Sequence, residues 1–219
     1  MTSTATSAGT ETAGRRPATG PPGRLRRAGV LLSGVALAVA AVGLQTLGLD
    51  RQERTAHLTW TGRLGDEVAA SRFSARVKAI RAARTIETTD PGDRVQRATT
   101  SGIFLIADVG ATANREPQKF GPPVLLAGDG RRYTATDKVD SSLTITNPYI
   151  QVGWWAESVA VFEIPAEALT GSRIVLAPRN GFAGEAFLPE VEIDLGLDEA
   201  AAQSLISNAK DVYQLASKK

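Results

Sequence analysis

The sequence predicts a mainly β chain: an antiparallel, immunoglobulin-like β-sandwich preceded by one transmembrane helix and followed by a short C-terminal amphipathic helix. Three observations carry that expectation. Residues 28–49 contain no charged side chain. As a helix rising about 1.5 Å per residue they span roughly 33 Å, enough to cross a hydrocarbon core of about 30 Å. Beyond them, short β-prone runs recur at intervals of about 8–15 residues, separated by Gly/Pro turns, as in a sandwich. From Asp198 onward the apolar spacing turns helical.

Residues 1–23 are mostly Thr, Ser, Ala, Gly and Pro with almost no large apolar side chain, so they bury too little surface to repay the entropy of ordering, and residues 1–27 are expected to be a disordered tail. Residues 1–27 carry five arginines and one acid, Glu11, and such positive flanks stay in the cytoplasm. The expected topology is therefore amino terminus inside, with everything after residue 49 outside. The alternative is a cleaved secretion leader, with Ala38-Val39-Ala40 as the small-x-small site. Apolar residues continue past that site through Val42, Leu44 and Leu47, which suits an anchor better. A buried soluble helix is the third reading; the first two both export the carboxy-terminal portion.

The charge divides unevenly. The chain is formally +2, but the residues after the span hold 20 basic and 22 acidic side chains, so the excess positive charge sits in the tail. A slightly acidic exported portion excludes nucleic acid as an expected partner. The absence of cysteine removes disulfides, thiolate nucleophiles and cysteine metal sites, leaving an ordinary hydrophobic core to hold the fold.

Residues 50–61 read as a juxtamembrane stalk, with weak alternation through Ala56, Leu58 and Trp60 that leads into a first strand. Phe73, Ala75, Val77 and Ala79 alternate with Arg72, Ser74, Arg76 and Lys78, the period of a half-buried strand. A helix through Phe73, Val77 and Ile80 is the competing reading. The β-prone Thr85-Ile86-Glu87-Thr88-Thr89 and the turn Asp90-Pro91-Gly92-Asp93 favour the strand. Residues 103–109 form an apolar central strand. Residues 124–134 predict a hairpin around Gly128-Asp129-Gly130. Residues 143–150 predict another strand, interrupted at Asn147-Pro148 and so at an edge or bulge. Residues 158–164, 173–177 and 186–195 supply the rest. Asp198 caps a helix over 197–219, with Leu205, Ala209, Val212 and Ala216 as its apolar stripe and a partner-binding surface as its sharper reading.

Four stretches resemble a known family. They are Gly65-Asp66-Glu67-Val68 with the strand that follows, Gly102-Ile103-Phe104-Leu105-Ile106 through Asn114, the hairpin Leu125-Leu126-Ala127-Gly128-Asp129-Gly130-Arg131-Arg132-Tyr133, and Val159-Ala160-Val161-Phe162-Glu163-Ile164-Pro165. In order and spacing they are similar to the telokin-like, immunoglobulin-type domain of unknown function found on Gram-positive membrane proteins and lipoproteins. The resemblance spans residues 62–196. It implies a β-sandwich and carries no catalytic residue. Ile150-Gln151-Val152-Gly153 before the tryptophans, and the helix after Leu197, depart from the family pattern.

Enzymatic constellations are sparse, and the expectation is a non-enzyme without cofactor or metal. The single histidine, His57, lies in the stalk, away from any nucleophile elbow. Asp137/Asp140 and Glu190/Glu192/Asp194 match neither a glycosidase pair nor a calcium loop, and read as solvated turns and strand faces. Gly128-Asp129-Gly130 lacks the Lys-Ser/Thr of a phosphate loop. Tyr149, Trp154 and Trp155 are the candidate ligand- or partner-binding residues. Neighbours on a strand face opposite ways, which puts one tryptophan in the core and leaves the other to cover an edge or form a binding surface. The row Arg72, Arg76, Lys78, Arg81 and Arg84 reads as a wet strand face or an anion contact.

The expected partners are the lipid bilayer, through residues 28–49, and another envelope protein or cell-wall polymer. The expected role is a non-catalytic binding or accessory module of the bacterial cell envelope, with a carbohydrate-binding module using Trp154/Trp155 as the alternative.

Overall fold

The computed structural model describes residues 57–89, 94–179 and 187–215. The tail 1–27 and the apolar run 28–49 lie outside the described residues. Among the described residues no helix is long and apolar enough to cross a membrane.

Among the described residues, ten strands form two sheets. In chain order they are β1 (Leu58–Arg63), β2 (Val68–Ala69), β3 (Phe73–Thr89), β4 (Val95–Ala113), β5 (Val124–Leu126), β6 (Arg132–Thr134), β7 (Ala156–Ile164), β8 (Arg173–Leu176), β9 (Pro189–Asp194) and β10 (Lys210–Leu215). One sheet runs β1-β9-β8-β5-β6; the other runs β10-β3-β4-β7, with β2 also paired to β3. The pairings are antiparallel except β1 with β9 and β10 with β3, which are parallel. A mainly β, two-sheet sandwich is therefore what the chain forms.

The period-2 reading of β3 explains its placement. Phe73, Ala75 and Val77 face the space between the sheets, while Arg76 stands on the outer face. Register shifts between Val77 and Ala79 and between Ala83 and Thr85 let the long strand bend and keep Ala82 inward and Ile86 outward. From Ile103 onward strand β4 reads as a nearly unbroken apolar run because that part is buried on both faces. Ile103, Leu105, Ala107, Val109 and Ala111 line the main core. Phe104 and Ile106 join a second cluster with Ile86, Val139, Val161 and Leu215 on the outer face.

The expected hairpin is present: Leu125 opposes Tyr133 across β5 and β6, and Gly130 turns at φ 86°. Residues 143–150 differ from expectation. They form a 3-10 turn, Ser141–Leu143, then single bridges Thr144 to Val159 and Gln118 to Ile150. Pro148 has no N–H to extend a ladder, and the segment instead lies along β7 and covers its edge. Ile145 N bonds the Val159 carbonyl at 2.9 Å there.

Strand β1 begins at Leu58, inside the stretch assigned to the stalk, because Trp60 packs on the main core. At the other end the helix α1 (Glu199–Ser207) is shorter than expected. Asp198 caps it, accepting from Ala201 N at 2.7 Å. After Asn208 the chain turns into β10, so Val212 and Tyr213 lie on a strand and not on the helical stripe. Ala216 lies outside the described residues.

Candidate functional site

The segment from Tyr149 to the start of β7 carries the candidate aromatic residues. It is pinned at two points. Gln118 and Ile150 exchange backbone hydrogen bonds at 3.1 and 2.8 Å, and Gly153 N donates to the Ala113 carbonyl at 3.1 Å. Gly153 takes φ 75°, a conformation that disfavours a β-carbon, and this turn breaks the strand alternation expected for the two tryptophans. Neither indole enters the core. Trp154 is 77% exposed and Tyr149 is 58% exposed, with Val152 exposed between them. Trp155 is half-buried on the outer face of the second sheet.

What covers Trp155 is Arg76. Its guanidinium carbon lies 4.1 Å from the ring centre. Arg76 Nη2 also donates to Glu157 Oε1 at 2.9 Å, and Lys78 Nζ reaches the same oxygen at 2.7 Å. Burial alone would push the Glu157 carboxyl up, but Lys78 and Arg76 outweigh it and hold it below the usual carboxylate range. Gly110 on β4 makes room for this carboxylate: a β-carbon there would sit 3.0 Å from both Glu157 oxygens.

Beside this cluster runs a groove of about 480 Å³, lined by Asp108, Asn147, Glu157, Ser158 and Tyr213 among others. Arg81 Nη1 donates to Asp108 Oδ2 at 2.7 Å. That bond, with Tyr213 adding to it, holds the Arg81 guanidinium above its ordinary range. Ser158 Oγ donates to the Leu143 carbonyl at 3.1 Å. The groove's acidic groups are thus spent on neighbouring cations. Among the described residues no three His, Cys, Asp or Glu side chains come together as a metal site. His57 is exposed, immediately before β1.

The structure therefore brings Tyr149 and Trp154 onto one exposed loop and separates Trp155 from them onto the sheet face. Sequence reasoning missed the Arg76–Trp155–Glu157 cluster. Its only signal was the outward position of Arg76 on β3.

No family model matches the chain, and no curated protein matches it. Three solved structures are similar to it. The secreted protein MPT63 from Mycobacterium tuberculosis is 16% identical, covers 64% of this chain and 99% of its own, and has a TM-score of 0.42. An uncharacterized beta-sandwich protein from Clostridium difficile is 10% identical, covers 64% and 95%, and has a TM-score of 0.39. The yjhA protein from Bacillus subtilis is 10% identical, covers 71% and 99%, and has a TM-score of 0.40.

Proposed function

We propose that the chain is a single-pass membrane protein, amino terminus in the cytoplasm, whose telokin-like, immunoglobulin-type sandwich lies outside the membrane. In this reading the sandwich is a non-catalytic binding or accessory module of the bacterial cell envelope. The uncharged run 28–49 and its arginine-rich amino-terminal flank support the anchor. The observation that carries binding is the presentation of Trp154. A large indole left 77% exposed adds little to folding, yet its loop is held by backbone hydrogen bonds at Ile150 and Gly153 before it and by the pairing of Ala156 with Ala111 after it. Rigid, exposed Trp and Tyr side chains are what binding surfaces use, since they bring large contact area at small entropic cost. An anchor adds effective concentration for any partner in the same layer.

A second reading, a cell-wall carbohydrate module using Trp154/Trp155, rests on Trp154 alone, because Arg76 already covers a face of Trp155. The absence of cysteine makes the test direct. With Val95→Cys, a membrane-impermeant maleimide is expected to label intact cells; with Ser3→Cys, it labels only lysed ones. The reverse pattern overturns the topology. Trp154→Ala is expected to abolish capture of a stoichiometric companion or retention on purified wall polymer. Unchanged capture and retention overturn the role of the loop.

A further inference from the structure

Seven large apolar side chains stand exposed among the described residues, and they are not scattered. Leu58, Tyr149, Val152, Trp154 and Phe187 lie at one end of the sandwich, and Val95 and Val212 lie away from it. The registers fix this. Leu58 opposes Pro189 at the start of β9, next to Phe187 and Leu188. Leu176 opposes Val191, so two residues further along each strand Pro178 comes level with Pro189. Pro178 bridges Phe120, Gln118 bridges Ile150, and Ala113 bridges Val152. Arg115 and Arg179, exposed, and Lys119, half-buried, belong to the same end, against the acids Glu116 and Glu190.

This is also the end from which the chain leads back to the apolar run. Only residues 50–57 separate Leu49 from Leu58. Nine Cα steps reach at most about 30 Å. The ten steps of β4 from Ile103 to Ala113 alone measure about 34 Å. In the anchored reading, a tether that short limits how far the apolar end can stand from the bilayer.

We infer that this end is a lipid-contact face. Tyr149, Val152 and Trp154, with Leu58 and Phe187, sit in the interfacial layer of the bilayer, and Arg115, Lys119 and Arg179 meet anionic phospholipid headgroups. Tryptophan and tyrosine favour that layer because one edge of the ring is apolar and the other hydrogen-bonds water. The basic side chains add attraction to a negative surface. The inference rests on the anchored reading above and names the partner of its aromatic loop. It also orients the domain: the hairpin of β3 and β4 around Val95 points away from the membrane.

The full chain, reconstituted in vesicles of phosphatidylcholine and phosphatidylglycerol, tests this. An environment-sensitive dye is attached in turn at Val152→Cys, Leu58→Cys and Val95→Cys, each checked for cooperative unfolding. Spin-labelled lipids are expected to quench the dye at 152 and 58 several-fold more than at 95, and the effect at 152 to weaken in vesicles without the anionic lipid. Equal, weak quenching at all three positions overturns the inference if the chain stays with the vesicles through an alkaline carbonate wash. Loss of the chain in that wash overturns the anchored reading, and this inference with it. Shielding of position 152 only after purified wall polymer is added assigns the face to the polymer and overturns the lipid partner.

Discussion

The guanidinium carbon of Arg76 lies 4.1 Å from the centre of the Trp155 ring, while the same group donates to Glu157 Oε1 at 2.9 Å. One side chain from β3 thus ties down the residue that leads into β7 and the first acid on it, two strands away. Removing it uncovers an indole face and leaves Glu157 with Lys78 alone. Arg76→Ala is expected to destabilise the sandwich by about 1–2 kcal/mol, the sum of a partly buried cation–π contact and a screened ion pair. It is also expected to shift tryptophan emission to the red. Arg76→Lys is expected to recover part of the ion pair but not the flat stacking. Urea unfolding followed by fluorescence checks both, and an unchanged spectrum in Arg76→Ala would mean the stacking is absent in solution.

The two sheets meet at another pair. Phe73 on β3 and Phe120 on the crossing loop pack edge to face with ring centres 4.8 Å apart, both fully buried. Phe73→Ala leaves a cavity lined by Phe120 and is expected to cost about 3–5 kcal/mol. Phe73→Leu fills most of the volume and is expected to cost clearly less. Chemical denaturation midpoints at constant m-value decide it.

The parts of this fold that were readable from sequence are those whose neighbours are close in the chain. The β5–β6 hairpin follows from Asp129-Gly130, and the outward face of β3 follows from its alternating arginines. Strand β10 was not readable. Lys210–Leu215 continues an apolar spacing that also fits a helix, and its partner on β3 is set by contacts far apart in sequence, such as Gln214 with Glu87. The same holds at the candidate site. That Tyr149 and Trp154 belong together follows from sequence, but the stacking of Arg76 on Trp155 depends on the registers of β3, β4 and β7. The strand expected at 143–150 fails for a local reason, since Pro148 lacks the donor a ladder needs.

Close backbone approach makes Gly102 a sharp test of the β4–β7 pairing. A β-carbon at 102 would fall 2.2 Å from the Ile164 carbonyl oxygen and 3.0 Å from its carbon, both backbone atoms. No rotamer relieves such a clash, so the end of β7 must move. Gly102→Ala is expected to destabilise by about 1–3 kcal/mol. Gly130→Ala, where nothing lies within 4 Å but φ is +86°, strains only a turn and is expected to cost less, near 1 kcal/mol. Denaturation midpoints of the two variants check the order, and a larger cost at 130 than at 102 would count against the pairing of Ile103 with Ile164.

Acid sensitivity follows from carboxylates held by neighbouring side chains on the second sheet. Burial would raise Glu157, but Lys78 and Arg76 hold it below its ordinary value. Glu163 is lowered by Lys138, and Glu87 by Arg97 and Gln214. A carboxylate whose folded pKa is depressed binds its proton more readily when the chain is unfolded. Its contribution is therefore present above the unfolded value and is lost as pH falls through the folded one. Stability is expected to hold near neutral pH, start to fall at about pH 4.5 and keep falling below it. Glu157→Gln lacks one of these groups, so it is expected to be less stable than the parent at pH 7 and to lose less on acidification. The two curves should converge in acid. Parallel curves from neutral pH downward would show that Glu157 is not held by Arg76 and Lys78 in solution.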